Sequence, residues 1–432
     1  MRSIWRIIAP VFGLMGARLG GAAFGFLSQL VLARAFPPAQ VGLAFLAISV
    51  TTFVSLLITG GYHTIGLTYL ARFQSFGRPG LVEGFLSAAR RDMLLLAVIA
   101  FGVAGLLLLM PGEPGIAQAA FCGTLAAIPL AGIRLNNSMA NAQRRFALSY
   151  APDFVFRPGL LLVFIAALVV LGTTQSALPV LLALPAIALA VAIGQARLLG
   201  PDNVLRPDNG PVRRDLRKFY RSRALAMLAV TIVSGATADL VIMVGSLFLD
   251  PEAVAILGVA IRIAALVGFF ALASQQFVLR DLVGARASGD QSAVDRLLLR
   301  TNLAGAGTMV AAMAGTLMLG PWVLSLFGAH YGSAYWPMLI FLVSQGVRVA
   351  GGMNAQLLAL EGYQTRSAVT CLVALLVLGL GSAVLAPLWG LVGIALATLL
   401  AEVVWATGLG ILAQRLVGRR GDLCAALTHR NY

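Results

Sequence analysis

Apolar stretches of about twenty residues recur along the chain, each bounded by a short polar connection. They fall near residues 10–33, 40–63, 92–111, 116–140, 150–171, 178–199, 224–249, 253–277, 301–326, 337–360, 368–387 and 391–413. A helix of roughly twenty apolar residues matches the thickness of a bilayer's hydrocarbon core. Unpaired backbone groups are too costly to leave in that core, so each stretch is expected to be a helix. The pattern predicts an all-α integral membrane protein with twelve transmembrane helices.

The polar connections add an orientation. Five arginines (Arg18, Arg134, Arg157, Arg262 and Arg348) lie inside the apolar stretches. Setting them aside from the 31 basic residues leaves 26, and 25 of those sit at the termini or in the even-to-odd connections. Arg34 is the exception, and the opposite face instead holds Glu113, Asp250 and Glu252. The positive-inside rule then puts both termini in the cytoplasm, which requires an even number of spans.

The two halves read as a duplication. PPAQVGLAFLAISV at 37–50 aligns with DPEAVAILGVAIRI at 250–263, an offset of 213. Basic amphipathic segments follow at 77–91 and 289–300, and NSMANAQRRFA at 137–147 sits at the place of NAQLLALEGYQ at 354–364. Repeats of six spans each have the same orientation, so the expected lobes are related by a pseudo-two-fold axis along the membrane normal. Such architectures place the substrate path between lobes. The expected organisation is a lobe at 1–199, a basic linker at 200–223, a second lobe at 224–414 and a cytoplasmic tail at 415–432. The linker reads as a solvated positive-inside loop or as a recruiting surface for substrate.

Composition agrees with the membrane reading: 59% of the 432 residues are hydrophobic and 11% are charged, whereas soluble domains carry about 25% charged residues. The start of the chain lacks a small-residue cleavage pattern, so the first span is expected to remain in the membrane. A net charge of +15 would suggest nucleic acid in a soluble protein. Here the basic residues flank spans, so orientation and anionic lipid account for them and no nucleic-acid partner is expected. Lys218 is the only lysine. Cys122, Cys371 and Cys424, and His63, His330 and His429, are too scattered for a metal site or a catalytic triad. No phosphate-binding or dinucleotide fingerprint occurs, so no cofactor is expected. The outer connections are too short for a catalytic domain.

The intramembrane charges carry the chemistry. A central arginine costs roughly 2.5–3.5 kcal/mol on insertion scales, which makes each one a functional candidate. Arg18 has Ala22, Gly25 and Gln29 on about the same helix face; cavity lining competes with snorkelling to the nearby surface. Arg262 lies too deep for easy snorkelling. Arg348 is flanked by Gln345, Gly351 and Gly352, and Arg134 precedes Asn136 and Asn137. Asp153 and Arg157 are four apart, a spacing that favours an ion pair on one helix face. Asp239 and Glu402 are expected either to pair with arginines or to carry a coupling proton. Five arginines against three acids leave a positive interior, which suits an anionic ligand such as phosphate.

The opening ARLGGAAFGFLSQLVLARAFPPAQVGLAFLAIS at 17–49, TGGYHTIGLTYLARF at 59–73 and the duplicated layout resemble the multidrug/oligosaccharidyl-lipid/polysaccharide exporter superfamily. Within it, the chain resembles the Wzx-type flippases of the polysaccharide transporter family. The resemblance implies a bacterial inner-membrane protein, not an enzyme, that flips undecaprenyl-pyrophosphate-linked oligosaccharide for O-antigen, capsule or exopolysaccharide synthesis. It also implies a polysaccharide polymerase and chain-length machinery as partners. Relatives that flip the peptidoglycan precursor hold pyrophosphate with arginines in spans one and eight, the spans of Arg18 and Arg262. Arg134, Arg348 and Gln29 complete the expected substrate-binding set. A cation-coupled drug exporter of the same superfamily and a membrane-embedded polymerase are the alternatives.

Overall fold

The structure is a computed structural model that describes residues 20–111, 113–200, 203–204 and 214–428. Every regular element among them is helical. The chain runs through α1 (20–35), α2 (Pro38–Thr59), α3 (Tyr62–Ser75), α4 (Pro79–Leu109) and α5 (Pro114–Ala142). A short α6 (Phe146–Ala151) passes through a π-helical turn (Pro152–Phe156) into α7 (Arg157–Val170), and α8 (Leu178–Leu199) follows. Beyond the linker come α9 (Arg214–Gly235), α10 (Thr237–Gly245), α11 (Pro251–Ala287) and α12 (Gln291–Phe327). A 3-10 turn (Ala329–Ala334) leads to α13 (Tyr335–Ala350), α14 (Asn354–Leu360), α15 (Gln364–Val417) and α16 (Leu423–Thr428).

Among the described residues, 8 helices are long and apolar enough to cross a bilayer, or 9 if α9 and α10, bent by 80°, form one span. The bend falls where Ser234 and Thr237 turn their hydroxyls onto the carbonyls of Val230 and Val233 beside Gly235. Hydroxyl side chains next to glycine are a recognised cause of helix kinks. The amphipathic segment expected at 77–91 is not a separate element. It is the first part of α4, with Val82, Phe85, Leu86 and Ala89 buried.

The longest helix, α15, is a hairpin. Gly390 has φ 55° and ψ −126°, a region closed to residues with a Cβ. On either side of it the arms run antiparallel. A Cβ on Gly381 would lie 3.2 Å from the Cβ of Ala397, and one on Gly408 would lie 2.5 Å from Thr370 Cγ2. A Cβ on Gly393 would collide with the carbonyl of Leu385. All three pairs are symmetric about the turn, so α15 comprises arms 364–389 and 391–417 with no loop between them.

The molecule divides into two compact units, Met1–Met243 and Val244–Tyr432. The first unit therefore includes α9, which the sequence halves assign to the second lobe. The reason is aromatic and ionic docking. Tyr220 packs edge-on against Phe85 and Tyr69 at 5.2 and 5.7 Å, and Arg217 reaches the buried Asp92 of α4 at 2.5 Å. Tyr62 donates to the other oxygen of Asp92 at 2.7 Å, so that carboxylate is held from two helices.

The duplication extends to hydrogen bonds. Asn136 Oδ1 on α5 accepts from Val204 N at 2.8 Å, and Asn354 Oδ1 on α14 accepts from Gly421 N at 2.7 Å. Arg90 on α4 donates to the carbonyl of Asn203, and Asn302 on α12 donates to that of Gly421, at 3.3 and 3.0 Å. Both segments follow a helix ended by glycine in positive φ, Gly200 at 72° and Gly418 at 74°. A buried asparagine thus ties down the chain leaving α8 in the first unit and the chain leaving α15 in the second.

Large apolar side chains on α4 and α15, such as Leu94, Val98, Leu376 and Leu380, point outward, as a lipid-facing surface requires. Gly390→Ala should cost about 1–3 kcal/mol of stability, since alanine is strained at that turn. Gly393→Ala should also destabilise by pushing the arms apart. Gly379→Ala, where nothing lies within 4 Å, should not. Thermal unfolding of the three variants in detergent checks this.

Candidate substrate-handling clusters within the spans

In the first unit the polar cluster is built around the π-helical turn. Pro152 and Pro158 lack N–H groups, so the helix through this region cannot keep a regular ladder and widens. Asp153 sits in the turn and accepts from Arg157 Nε at 3.1 Å and Nη2 at 3.0 Å. Arg134 on α5 approaches the same carboxylate at 3.9 Å and donates to the carbonyl of Thr52 on α2 at 3.3 Å. Asp239 on α10 adds a second negative charge to the field at Arg134. The α1 helix presses on this turn, because a Cβ on Gly21 would collide with the carbonyl of Phe154. Gln29 lies on α1 and is half-buried. Arg18 lies outside the described residues.

His63 joins this cluster. Its ring nitrogens lie 2.9 Å from Thr59 Oγ1 and 3.2 Å from Thr64 Oγ1, and its carbonyl accepts from Ser138 at 2.6 Å. Ser138, which makes that bond, lies one turn after Arg134 on α5. Sequence reasoning set His63 aside because the three histidines are far apart. Its one signal was position, beside the Gly60–Gly61 break between α2 and α3, where two helix ends expose polar backbone. Among the described residues no group of three or more His, Cys, Asp or Glu is placed to hold a metal.

In the second unit Arg348 on α13 pairs with Glu402 on the second arm of α15, with both side chains buried. The guanidinium also lies 5.3 Å from the centre of the Trp405 ring, a cation–π contact. Glu402 Oε2 is buried without a hydrogen-bond partner. Arg262 lies on α11, half-buried between the buried Ile261 and Ile263.

The depth of Arg262 relative to Arg348 follows from the Gly268–Gln345 contact and from the proximity of Glu252 to Tyr331. Glu252 near the start of α11 acts on Tyr331 just before α13, and Gly268 meets the side chain of Gln345. The two helices are therefore parallel. Arg262 precedes Gly268 by six residues and Arg348 follows Gln345 by three. At about 1.5 Å per residue the two arginines differ in depth by roughly 13 Å. They line different levels of the unit, and the structure does not bring them onto one point.

These units define the class first. That class is an all-helical, multi-pass membrane chain with internal duplication and charged clusters inside its spans. No protein-family model matches the chain, and no curated protein sequence does. Its fold matches solved structures of the MOP transporter superfamily. An inward-facing MATE-family multidrug resistance transporter has a TM-score of 0.75 at 15% identity, covering 95% of this chain and 96% of that one. The lipid II flippase MurJ, in an inward closed conformation, has a TM-score of 0.72 at 12% identity over 93% of this chain and 87% of that one. An outward-facing MATE-family structure scores 0.62 at 15% identity, over 95% of each chain. These neighbours are transporters and a flippase rather than enzymes.

The buried pair has a measurable consequence. Glu402→Gln leaves the Arg348 charge buried without its carboxylate and should cost roughly 3–5 kcal/mol. Replacing both partners (Arg348→Met with Glu402→Gln) should recover most of that loss. A double-mutant cycle on thermal unfolding gives the coupling energy.

Proposed function

We propose that this chain is a flippase that moves an undecaprenyl-pyrophosphate-linked oligosaccharide from the inner to the outer leaflet of a bacterial inner membrane. In this reading it has twelve spans: α1, α2, α4, α5, the α6–α7 pair, α8, the bent α9–α10 pair, α11, α12, α13 and the two arms of α15. They form two six-helix lobes, with both termini cytoplasmic. The lobes rock to expose the headgroup alternately to the two sides, while the lipid tail stays in hydrocarbon.

One observation carries the choice of cargo. The fold is common to drug exporters and to the lipid II flippase, so fold alone does not select a substrate. Formal charge supports one: five intramembrane arginines stand against three acids, Asp153, Asp239 and Glu402, while Asp92 of α4 is already held by Arg217. A positive interior suits pyrophosphate, whose oxygens match the guanidinium fork. Arg18 and Arg262 are the proposed pyrophosphate ligands, and Gln29 contributes a polar contact from α1. Arg134 and Arg348 assist by exchanging an acid for phosphate as the cargo passes. Asp239 and Glu402 are the proposed coupling acids, since a proton on either would release its arginine. A polysaccharide polymerase and chain-length machinery are the proposed downstream partners.

The likeness to MATE-family exporters favours a second reading, export of cationic drugs coupled to an ion. Deleting the gene separates the two. Flipping predicts lipid-linked sugar accumulating on the inner leaflet, loss of surface glycan and unchanged sensitivity to cationic dyes. Normal leaflet distribution with heightened dye sensitivity would overturn it. With expression matched, Arg262→Ala should lower export about tenfold or more, the scale of one lost charge-assisted hydrogen bond. Undiminished export would remove Arg262 from the site.

A further inference from the structure

A groove of about 820 Å³ runs along the first unit between the α6–π-turn–α7 segment and α8. Its size falls within the range of roughly 300–1,000 Å³ typical of ligand sites. Phe146, Phe156, Leu160 and Leu198 form its walls, and each is exposed on the surface that faces lipid. Two cations, Arg144 and Arg145, stand at one end in the turn between α5 and α6. Arg145 Nη2 donates to the carbonyl of Leu198 in the last turn of α8 at 2.7 Å, which holds its guanidinium on the rim. The Arg144 side chain is exposed and has no partner among the described residues.

The backbone marks Arg144 as unusual. Its φ is 58°, and it is the single non-glycine residue in positive φ among those described. The other unit makes the same turn with glycine: Gly362, 218 residues on, has φ 79°. That offset also separates Asn136 from Asn354 and Gly200 from Gly418, so the positions correspond. The turn needs a left-handed residue, glycine fills it without strain, and the first unit carries an arginine there at a cost in stability. The same first-unit turn is the one that borders the groove.

Deeper in the groove sits Gln195, one turn before the rim. Its Nε2 donates to Asn137 Oδ1 at 2.7 Å and to the carbonyl of Leu148 at 3.1 Å, which fixes the amide's orientation. Its Oε1 is left buried without a hydrogen-bond partner. That oxygen is sealed beneath the groove, so the amide shapes the floor rather than meeting an occupant. Gly194 beside it faces open space, where a Cβ would meet nothing within 4 Å.

We propose that this groove is a binding site for an anionic glycerophospholipid, phosphatidylglycerol being the type. Arg144 and Arg145 hold the phosphate, and the aromatic and leucine walls take the start of an acyl chain. The site is lateral, lies wholly within the first unit and is distinct from the intramembrane arginines proposed to hold cargo. It does not depend on what the protein transports.

The test uses the purified full-length chain in detergent, titrated with phosphatidylglycerol or phosphatidylcholine. Bound lipid is read by native mass spectrometry and stability by thermal unfolding. Phosphatidylglycerol should bind at least about tenfold more tightly than phosphatidylcholine and raise the melting temperature. Arg144→Gly should abolish that preference while leaving lipid-free stability equal or higher, because glycine relieves the turn. Gly194→Leu, filling open space, should weaken binding without unfolding the protein. Equal binding of the two lipids, an unchanged preference in Arg144→Gly, or retention of undecaprenyl phosphate in place of phosphatidylglycerol would each overturn the proposal.

Discussion

In hydrocarbon a helix must satisfy its own backbone, and wherever the ladder breaks, another group has to take over. The breaks in this fold are where its polar residues gather. The π-helical turn at Pro152–Phe156 holds Asp153, and Asp153 gathers Arg134 and Arg157. The break at Gly60–Gly61 presents His63 to the same cluster, and Ser138 takes up its carbonyl. Where α8 and α15 end, Asn136 and Asn354 supply the missing acceptors. Irregular backbone and functional candidates are thus neighbours for one physical reason: a site that needs polar groups tolerates, and uses, an unfinished helix.

The same constraint sorts the charges. Arg348 is neutralised by Glu402 and sheltered by Trp405, while Arg134 and Arg157 share the field of Asp153. Pairs of this kind are weak contributors to stability relative to apolar packing, yet costly to break singly. That asymmetry suits a cycle in which a charged ligand replaces one partner without leaving the other bare. The two units achieve it differently. Each carries its arginine on the corresponding helix, α5 or α13, but the acid comes from the π-helical turn in one and from a hairpin arm in the other.

Much of this was legible in the sequence, and the rest shows where local patterns stop. The apolar runs locate the helices because burial in lipid depends on composition alone. The duplication is visible because both copies keep the same entry motif after Asp250 and Pro37. The Asp153–Arg157 pair is readable because four residues make one turn. For Glu402 the sequence offers an arginine partner as one of two readings but does not say which arginine, since Arg348 and Glu402 lie on helices joined through the hairpin turn at Gly390. The docking of α9 on the first unit was hidden for the same reason: Arg217 reads as one more basic residue of a solvated linker until Asp92 is seen buried beneath it. His63 was passed over because a metal or catalytic role requires company in sequence or space, and only the space was supplied by folding.

The paired asparagine clamps also bear on biosynthesis. In the first unit the clamped segment, around Asn203 and Val204, is made midway through translation, before α9 and the whole of the second unit. In the second unit the corresponding segment around Gly421 follows every long helix. Asn302 and the Oδ1 of Asn354 therefore meet this segment only after every long helix is made, while Asn354 Nδ2 already has the local carbonyl of Gly351. The two halves share a design, but they mature on different clocks.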